Sequence, residues 1–247
     1  MQLEKTIQIS ELKSNLITQA AHELKTPLTS IFGWTELLYN AKKQGKSLDA
    51  TFELEDFERI LRNSERLDNI INDFLDMRRI ESGKIELVRL KANLSEILEK
   101  TIEVVNYLAI QKGITFTLGT IPSVDLSVDL RRIEQVFINL LSNAIKYSPE
   151  NTRVTIKTNI VELNARKMFQ VQVIDEGYGF TTEELTDATT PFGKAYTRQK
   201  QKRAIQGTGL GLYISRHIIE LHGGTLEIQS DGANRGTQVE IRLPLDQ

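Results

Sequence analysis

The chain has 247 residues, no cysteine and a formal net charge of −2 at pH 7. This length suits one large or two small domains, and the near-neutral charge gives no reason to expect nucleic acid or an anionic membrane as a partner. The lack of cysteine excludes disulfides, thiol catalysis and cysteine-ligated metals, and it fits a reducing compartment. Because no apolar run approaches the ~18 residues of a membrane span, we expect a cytoplasmic chain, which could be the cytoplasmic portion of a longer protein.

The first 82 residues are predicted to form a helical hairpin. Apolar residues recur at alternating spacings of four and three over residues 3–38, a pattern typical of a helix packed against other helices. A turn is predicted over residues 43–54, a second apolar stripe covers residues 57–74, and Gly83 follows as a C-cap. One hairpin cannot bury two broad apolar stripes, so we expect a homodimer through residues 1–82 that forms a four-helix bundle.

A histidine, a carboxylate and a proline lie together within the first predicted helix. His22 is about 200° around the helix from Leu24, at ~3.6 residues per turn, and therefore faces away from the apolar stripe. Pro27 removes one backbone donor and crowds the carbonyl of Glu23, which predicts a bend just after His22. Most exposed helical histidines have no function, so this stretch alone does not define a site.

From Ile85 onwards the pattern changes to strands that alternate with helices. Strands whose apolar residues alternate with polar ones favour a mixed sheet covered by helices on one face. A helix is predicted from Asn93, its N-cap, to Lys112, with Gly113 beyond its end. The boundary between the two domains is predicted at residues 83 and 84. The strands are predicted around residues 85–90, 114–118, 154–160, 169–175, 226–228 and 239–243.

The predicted helix 129–147 has one apolar face and one face rich in amides. Asp129 can cap it, whereas Asn139 and Asn143, one turn apart, are weak helix formers. Together with Lys146 they direct amide oxygens and a positive charge at one spot, which suits a cation bound to phosphates; an ordinary solvated face is the alternative. The apolar face, which should be buried, consists of Ile133, Val136, Phe137, Leu140, Leu141 and Ala144.

Two glycine-containing segments are candidates for ligand binding. Asp175 ends a strand and precedes Gly177 and Gly179; an aspartate fixed there can accept a hydrogen bond from an exocyclic amine, and glycine lets a ligand lie against the backbone. A simple tight turn is the alternative. Residues 207–212 carry three glycines before a helix, where backbone N–H groups can bind phosphate.

The segment that joins these two motifs is basic. Residues 188–206 contain five basic side chains and no acid, so they form either a lid over phosphates or a solvated loop. Neither a dinucleotide fingerprint nor a P-loop is present, because Leu212 replaces the required third glycine and no Gly-Lys-Ser/Thr occurs. The basic side chains are Lys194, Arg198, Lys200, Lys202 and Arg203.

Five motifs, in this order, resemble those of two-component sensor histidine kinases of the HisKA type. Residues 22–27 resemble the H box, residues 139–147 the N box and residues 175–179 the G1 box. Residues 207–212 resemble the G2 box, and residues 236–237 the last glycine motif. The resemblance covers nearly the whole chain.

The resemblance implies a dimerisation and phosphotransfer hairpin over residues 1–83 and a catalytic Bergerat-type α/β sandwich, with a mixed, mainly antiparallel sheet, over residues 84–247. ATP with Mg²⁺ would phosphorylate His22, and the phosphoryl group would pass to an aspartate of a response regulator receiver domain. Such a phosphoprotein is a transferase of two-component signal transduction. The His-Glu-x-x-Thr pattern also implies phosphatase activity towards the regulator.

The resemblance assigns roles to individual residues. Glu23 would act as a base towards His22, Thr26 would orient the water that dephosphorylates the regulator, and Asn143 would bind Mg²⁺. The residues expected to bind the nucleotide are Asn139, Asn143, Lys146, Tyr147, Asp175, Gly177, Gly179, Thr208, Gly209, Leu210 and Gly211.

Two alternatives and one departure from the family pattern stay open. A related ATPase would share the ATP fold but would have no substrate histidine in a preceding hairpin. A catalytically inactive dimeric scaffold would bind no ATP. The phenylalanine-rich F box of the family is reduced here to Phe192 within residues 191–195.

Overall fold

The computed structural model describes residues 2–47, 52–163, 165–191 and 208–245, with the backbone alone for 2–17 and 19. They form two compact units, Met1–Arg79 and Ile80–Gln247. The five basic residues predicted between 188 and 206, together with Phe192 and Gly207, lie outside the described residues. No helix among the described residues is long and apolar enough to cross a membrane.

The first unit is an antiparallel hairpin of α1 (Gln2–Lys43) and α2 (Leu54–Glu81). Contacts between the helices show their direction: Arg66 Nη2 lies 3.5 Å from Glu23 Oε2, and the guanidinium of Arg59 lies 5.4 Å from the ring centre of Trp34. Because the later residue of α1 faces the earlier residue of α2, the two helices run in opposite directions. The predicted hairpin is therefore confirmed.

The buried face of α1 differs from the predicted stripe by about one residue. Ala20, Glu23 and Pro27 are buried, whereas Ala21 and Leu28 are exposed. The apolar pattern in the sequence includes residues of two adjacent faces of α1. One face is buried in this chain, and the other is apolar but exposed. α1 continues through the proline without interruption.

The second unit is built on a five-stranded sheet in the order β2-β4-β5-β7-β6. β2 and β4 pair in parallel, and the other neighbours are antiparallel. The predicted mixed, mainly antiparallel sheet is confirmed. The strands are β1 (Leu90–Asn93), β2 (Thr115–Leu118), β3 (Asp125–Val128), β4 (Arg153–Leu163), β5 (Arg166–Asp175), β6 (Thr225–Gln229) and β7 (Thr237–Pro244).

Helices cover one face of this sheet and bury its apolar residues. Phe169, Val171 and Val173 of β5 are buried, while the intervening Gln170 and Gln172 are only partly buried. All six apolar positions predicted for the long central helix are buried. The helices are α3 (Leu94–Gln111), α4 (Leu130–Tyr147), α5 (Thr182–Asp187) and α6 (Gly211–Leu221).

Short elements account for the differences from the prediction. The strand predicted over residues 85–90 is wrong, because β1 begins only at Leu90 and pairs with β3, which has four residues and which no sequence pattern predicted. α5 was also missed; it has six residues and is held by a capping box between Thr181 and Glu184. Elements this short contain too few residues to show a period.

Candidate functional site

A chain of hydrogen bonds orders the amides on the partly exposed face of α4. The N-cap of the helix is Asp129, whose Oδ1 accepts a hydrogen bond from Arg132 N at 3.1 Å. Asn143 Nδ2 donates to Asn139 Oδ1 at 3.2 Å, and Asn139 Nδ2 donates to the buried Ser215 Oγ of α6 at 2.8 Å. Asn143 is thus bonded to Asn139 through its Nδ2, and its amide oxygen is a suitable ligand for Mg²⁺.

The first turn of α6 lies directly against this amide chain. A Cβ on Gly211 would overlap Asn139 Oδ1, so only glycine allows this close approach. The preceding turn is held by Leu210 N, which donates to Thr208 Oγ1 at 3.2 Å, and by the positive φ of 70° at Gly209. The N-cap residue of this helix is Leu210, whose side chain makes no capping hydrogen bond, and first-turn N–H groups of a helix can bind an anion.

Asp175 lies at the end of β5 and is only 8% exposed. Its Oδ1 accepts hydrogen bonds from Gly177 N at 2.8 Å and from Thr237 N at 3.1 Å. This geometry leaves Oδ2 to accept from a ligand such as the exocyclic amine of adenine. Burial raises the pKa of Asp175 to about 6, although the two backbone hydrogen bonds oppose this shift.

The turn after Asp175 packs tightly against the end of α4. Tyr178 N donates to Tyr147 O at 3.0 Å, and a Cβ on Gly177 would lie 2.6 Å from that same oxygen. Gly179 has a φ of 59°, and a Cβ there would overlap Gly232 O. The last turn of α4 and the glycine turn are therefore fixed to each other.

Lys146 and Tyr147 project from this last turn of α4. The Lys146 ammonium lies 4.7 Å from the centre of the Tyr147 ring, within the range of a cation–π interaction. Burial raises the pKa of Tyr147 to about 12, so its hydroxyl stays protonated at neutral pH.

The H-box residues lie in the other compact unit. His22 and Thr26 are exposed on α1, and Thr26 Oγ1 donates to His22 O at 3.3 Å. Glu23 is only 3% exposed and faces Arg66 of α2. An exposed imidazole can accept a group delivered from solvent or from another domain.

The sequence reasoning missed residues that support the site. It did not single out Ser215, which anchors Asn139, or Ser230, whose Oγ accepts from Phe180 N at 3.0 Å. Both serines contact residues that are distant in the sequence, so no local motif or spacing predicts these contacts. Among the described residues no group of three or more His, Asp or Glu side chains could hold a metal ion.

Two domain families match the chain. Residues 12–83 match the family described as His Kinase A (phospho-acceptor) domain. Residues 128–247 match the histidine kinase-, DNA gyrase B- and HSP90-like ATPases. A phospho-acceptor hairpin followed by an ATPase domain of this class defines a protein-histidine kinase core. Together the two matches correspond to the core of a two-component sensor histidine kinase.

Curated relatives are similar over almost the whole chain. The Non-motile and phage-resistance protein of Caulobacter vibrioides is 31% identical over 96% of this chain and 27% of its own length. Histidine protein kinase DivJ of the same organism is 31% identical over 94% of this chain and 37% of its own length. The chain thus spans less than half of either relative.

Solved histidine kinases share the fold. Acinetobacter baumannii histidine kinase AdeS is 25% identical with a TM-score of 0.68, over 92% of this chain and 98% of that structure. Histidine kinase ThkA, solved in complex with the response regulator protein TrrA, is 22% identical with a TM-score of 0.64. That match covers 98% of this chain and 63% of ThkA.

Proposed function

We propose that this chain transfers the γ-phosphoryl group of ATP to His22 and then to an aspartate of a response regulator receiver domain. The observation that carries the proposal is the anchored amide pair of Asn139 and Asn143 beside the first turn of α6. Amide oxygens can bind a metal ion, and the N–H groups of a first helical turn can bind phosphates. The buried carboxylate of Asp175 supplies an acceptor for adenine.

Phosphoryl transfer depends mainly on positioning and on charge neutralisation. Bound Mg²⁺ would neutralise charge on the phosphates, with Asn143 Oδ1 as its ligand from this chain. Lys146 and Tyr147 would line the phosphate and ribose side, and Gly209 and Gly211 would let the phosphates approach the backbone. An imidazole nitrogen of His22 forms the new N–P bond, the bond between the β- and γ-phosphates breaks, and ADP leaves.

Glu23 is proposed to take the remaining imidazole proton. Its carboxylate is buried beside Arg66, so this role requires a rotation towards His22. Thr26 is proposed to orient water for the reverse function, dephosphorylation of the regulator. Thr26→Ala should then lower regulator dephosphorylation and leave autophosphorylation intact.

Residues 1–83 are proposed as the dimerising phosphotransfer domain and residues 84–247 as the catalytic domain. The His Kinase A match over residues 12–83 supports this division. ThkA was solved in complex with a response regulator, and this chain shares the fold of ThkA. This supports a response regulator as the phosphoryl acceptor.

The test is incubation with radiolabelled MgATP. The wild type should acquire an acid-labile, alkali-stable label, which His22→Gln and Asn143→Ala should lack. His217→Gln, which removes another histidine, is the matched control and should keep the label. Release of free phosphate without protein labelling would instead identify a related ATPase, and no ATP binding would identify an inactive scaffold.

A further inference from the structure

The carboxyl end of α4 has a complete set of partners for its terminal carbonyls. The last four carbonyls of any helix lack donors within the helix, and they must be satisfied from elsewhere when they are buried. In α4 these carbonyls belong to residues 144–147. The same turn carries Lys146 and Tyr147, which are proposed to line the nucleotide.

One side chain from another helix satisfies two of these four carbonyls. Lys112 Nζ donates to Ile145 O at 2.9 Å and to Lys146 O at 3.0 Å. The two flanking carbonyls have separate donors, because Ser148 Oγ donates to Ala144 O at 2.7 Å and Tyr178 N donates to Tyr147 O at 3.0 Å. An ammonium at this position also interacts favourably with the negative end of the helix dipole.

The end of α3 holds Lys112 in place. Gly113 has a φ of 66°, and Ile114 N donates to Ala109 O at 2.8 Å, which is the pattern of a Schellman motif. The Lys112 carbonyl accepts a hydrogen bond from Asn151 N at 3.1 Å. Hydrogen bonds thus hold the backbone on both sides of Lys112, and the two bonds of its ammonium locate the side chain.

We propose that Lys112 is a positioning residue for nucleotide binding: it fixes the last turn of α4 and, through Tyr147 O, the glycine turn that follows Asp175. The proposal rests on the proposed function, because it assumes that this turn borders the nucleotide. Lys112 itself touches no reacting atom. Its effect reaches the nucleotide through Lys146, Tyr147 and the backbone of Tyr178.

The test compares MgATP affinity in the full chain by calorimetric titration. Lys112→Met keeps a side chain of similar length but removes both hydrogen bonds of Nζ. It should weaken MgATP binding by about tenfold, the scale of coupling within one hydrogen-bond network. Lys112→Arg keeps a charged donor and should restore most of the affinity. In autophosphorylation, Lys112→Met should raise KM for ATP more than it lowers kcat.

The matched control is Lys100→Met. Lys100 also joins α3 to α4, since its Nζ lies 3.3 Å from Glu134 Oε1, but this pair is exposed and far from the last turn of α4. The control should bind MgATP like the wild type.

The outcomes distinguish the two proposals. A folded Lys112→Met that melts at a lower temperature but binds MgATP with wild-type affinity would show a purely structural role and overturn the inference. If Lys112→Met does not fold, Lys112→Gln, whose side chain is shorter and uncharged, replaces it and must bind MgATP more weakly than both Lys112→Arg and Lys100→Met. Absence of MgATP binding in the wild type would overturn the proposed function instead.

Discussion

Asp175 keeps a carboxylate in a buried position at the end of β5. The rise of its pKa from 3.8 to about 6 corresponds to roughly 3 kcal/mol between its two protonation states. Because the folded-state pKa lies above the unfolded value, the stability contributed by the neutral acid is fully present below about pH 3.8. That stability is lost as the pH rises through about 6. At neutral pH the free energy of unfolding of the catalytic unit is therefore lower than it would be with a neutral side chain at this position.

Asp175→Asn should therefore stabilise the catalytic unit while abolishing nucleotide binding. The expected gain in free energy of unfolding is up to about 3 kcal/mol at pH 7.5 and should shrink towards zero near pH 4. Urea denaturation across this pH range measures the gain; a gain independent of pH would contradict its origin in the buried charge.

MgATP affinity of the wild type should fall as the pH drops through about 6, because protonation of Asp175 removes the acceptor for adenine.

Glu23 should affect the chemical step and not nucleotide affinity. Loss of a general base typically costs ~10²–10⁴ in rate, so Glu23→Gln should lower the autophosphorylation rate by roughly that factor and leave the MgATP dissociation constant unchanged. Single-turnover labelling at saturating MgATP measures the rate. Glu36→Gln, on the exposed surface of the same helix, is the control. Equal rates in both variants would remove Glu23 from the mechanism.

At the scale of elements, the close approach of α6 to α4 depends on a single glycine. Gly211→Ala places a methyl group on the Asn139 amide, and overpacking of this kind typically costs ~1–3 kcal/mol. The variant should lose both thermal stability and MgATP affinity, since the amide chain to Asn143 is displaced. Gly33→Ala is the contrasting variant: nothing lies within 4 Å of its new Cβ, so it should stabilise α1 by ~0.5–1 kcal/mol. If Gly211→Ala binds MgATP normally, the amide chain does not hold the metal.

The long elements could be predicted because each carries its own signal. α4 shows a helical period, an N-cap at Asp129 and a buried apolar face, and α3 ends shortly before Gly113, as the sequence predicts. β3 and α5 are too short to show a period. The buried face of α1 differs from the predicted one by about one residue, because two apolar faces of this helix contribute to one sequence pattern. The glycines and Asp175 are visible in the sequence as motifs. Ser215 and Lys112 are not, since their roles exist only after α3, α4 and α6 have packed.

At the scale of the whole molecule, the hairpin exposes apolar side chains that a single chain cannot bury. Leu28 is 55% exposed, Phe32 67% and Leu61 59%. A second hairpin packed on this face would bury them and complete a four-helix bundle. This surface is the physical argument for the proposed homodimer through residues 1–82.

Leu28→Glu should convert the dimer into monomers. Two copies would place two unpaired carboxylates in the shared apolar interior, which is strongly unfavourable. Sedimentation velocity should show the wild type at twice the chain mass and the variant at the chain mass. Val104→Glu, on an exposed apolar position of α3 in the catalytic unit, introduces the same charge outside the hairpin and should remain dimeric. A Leu28→Glu protein that stays dimeric, or a Val104→Glu protein that dissociates, would place the dimer interface elsewhere than on the hairpin.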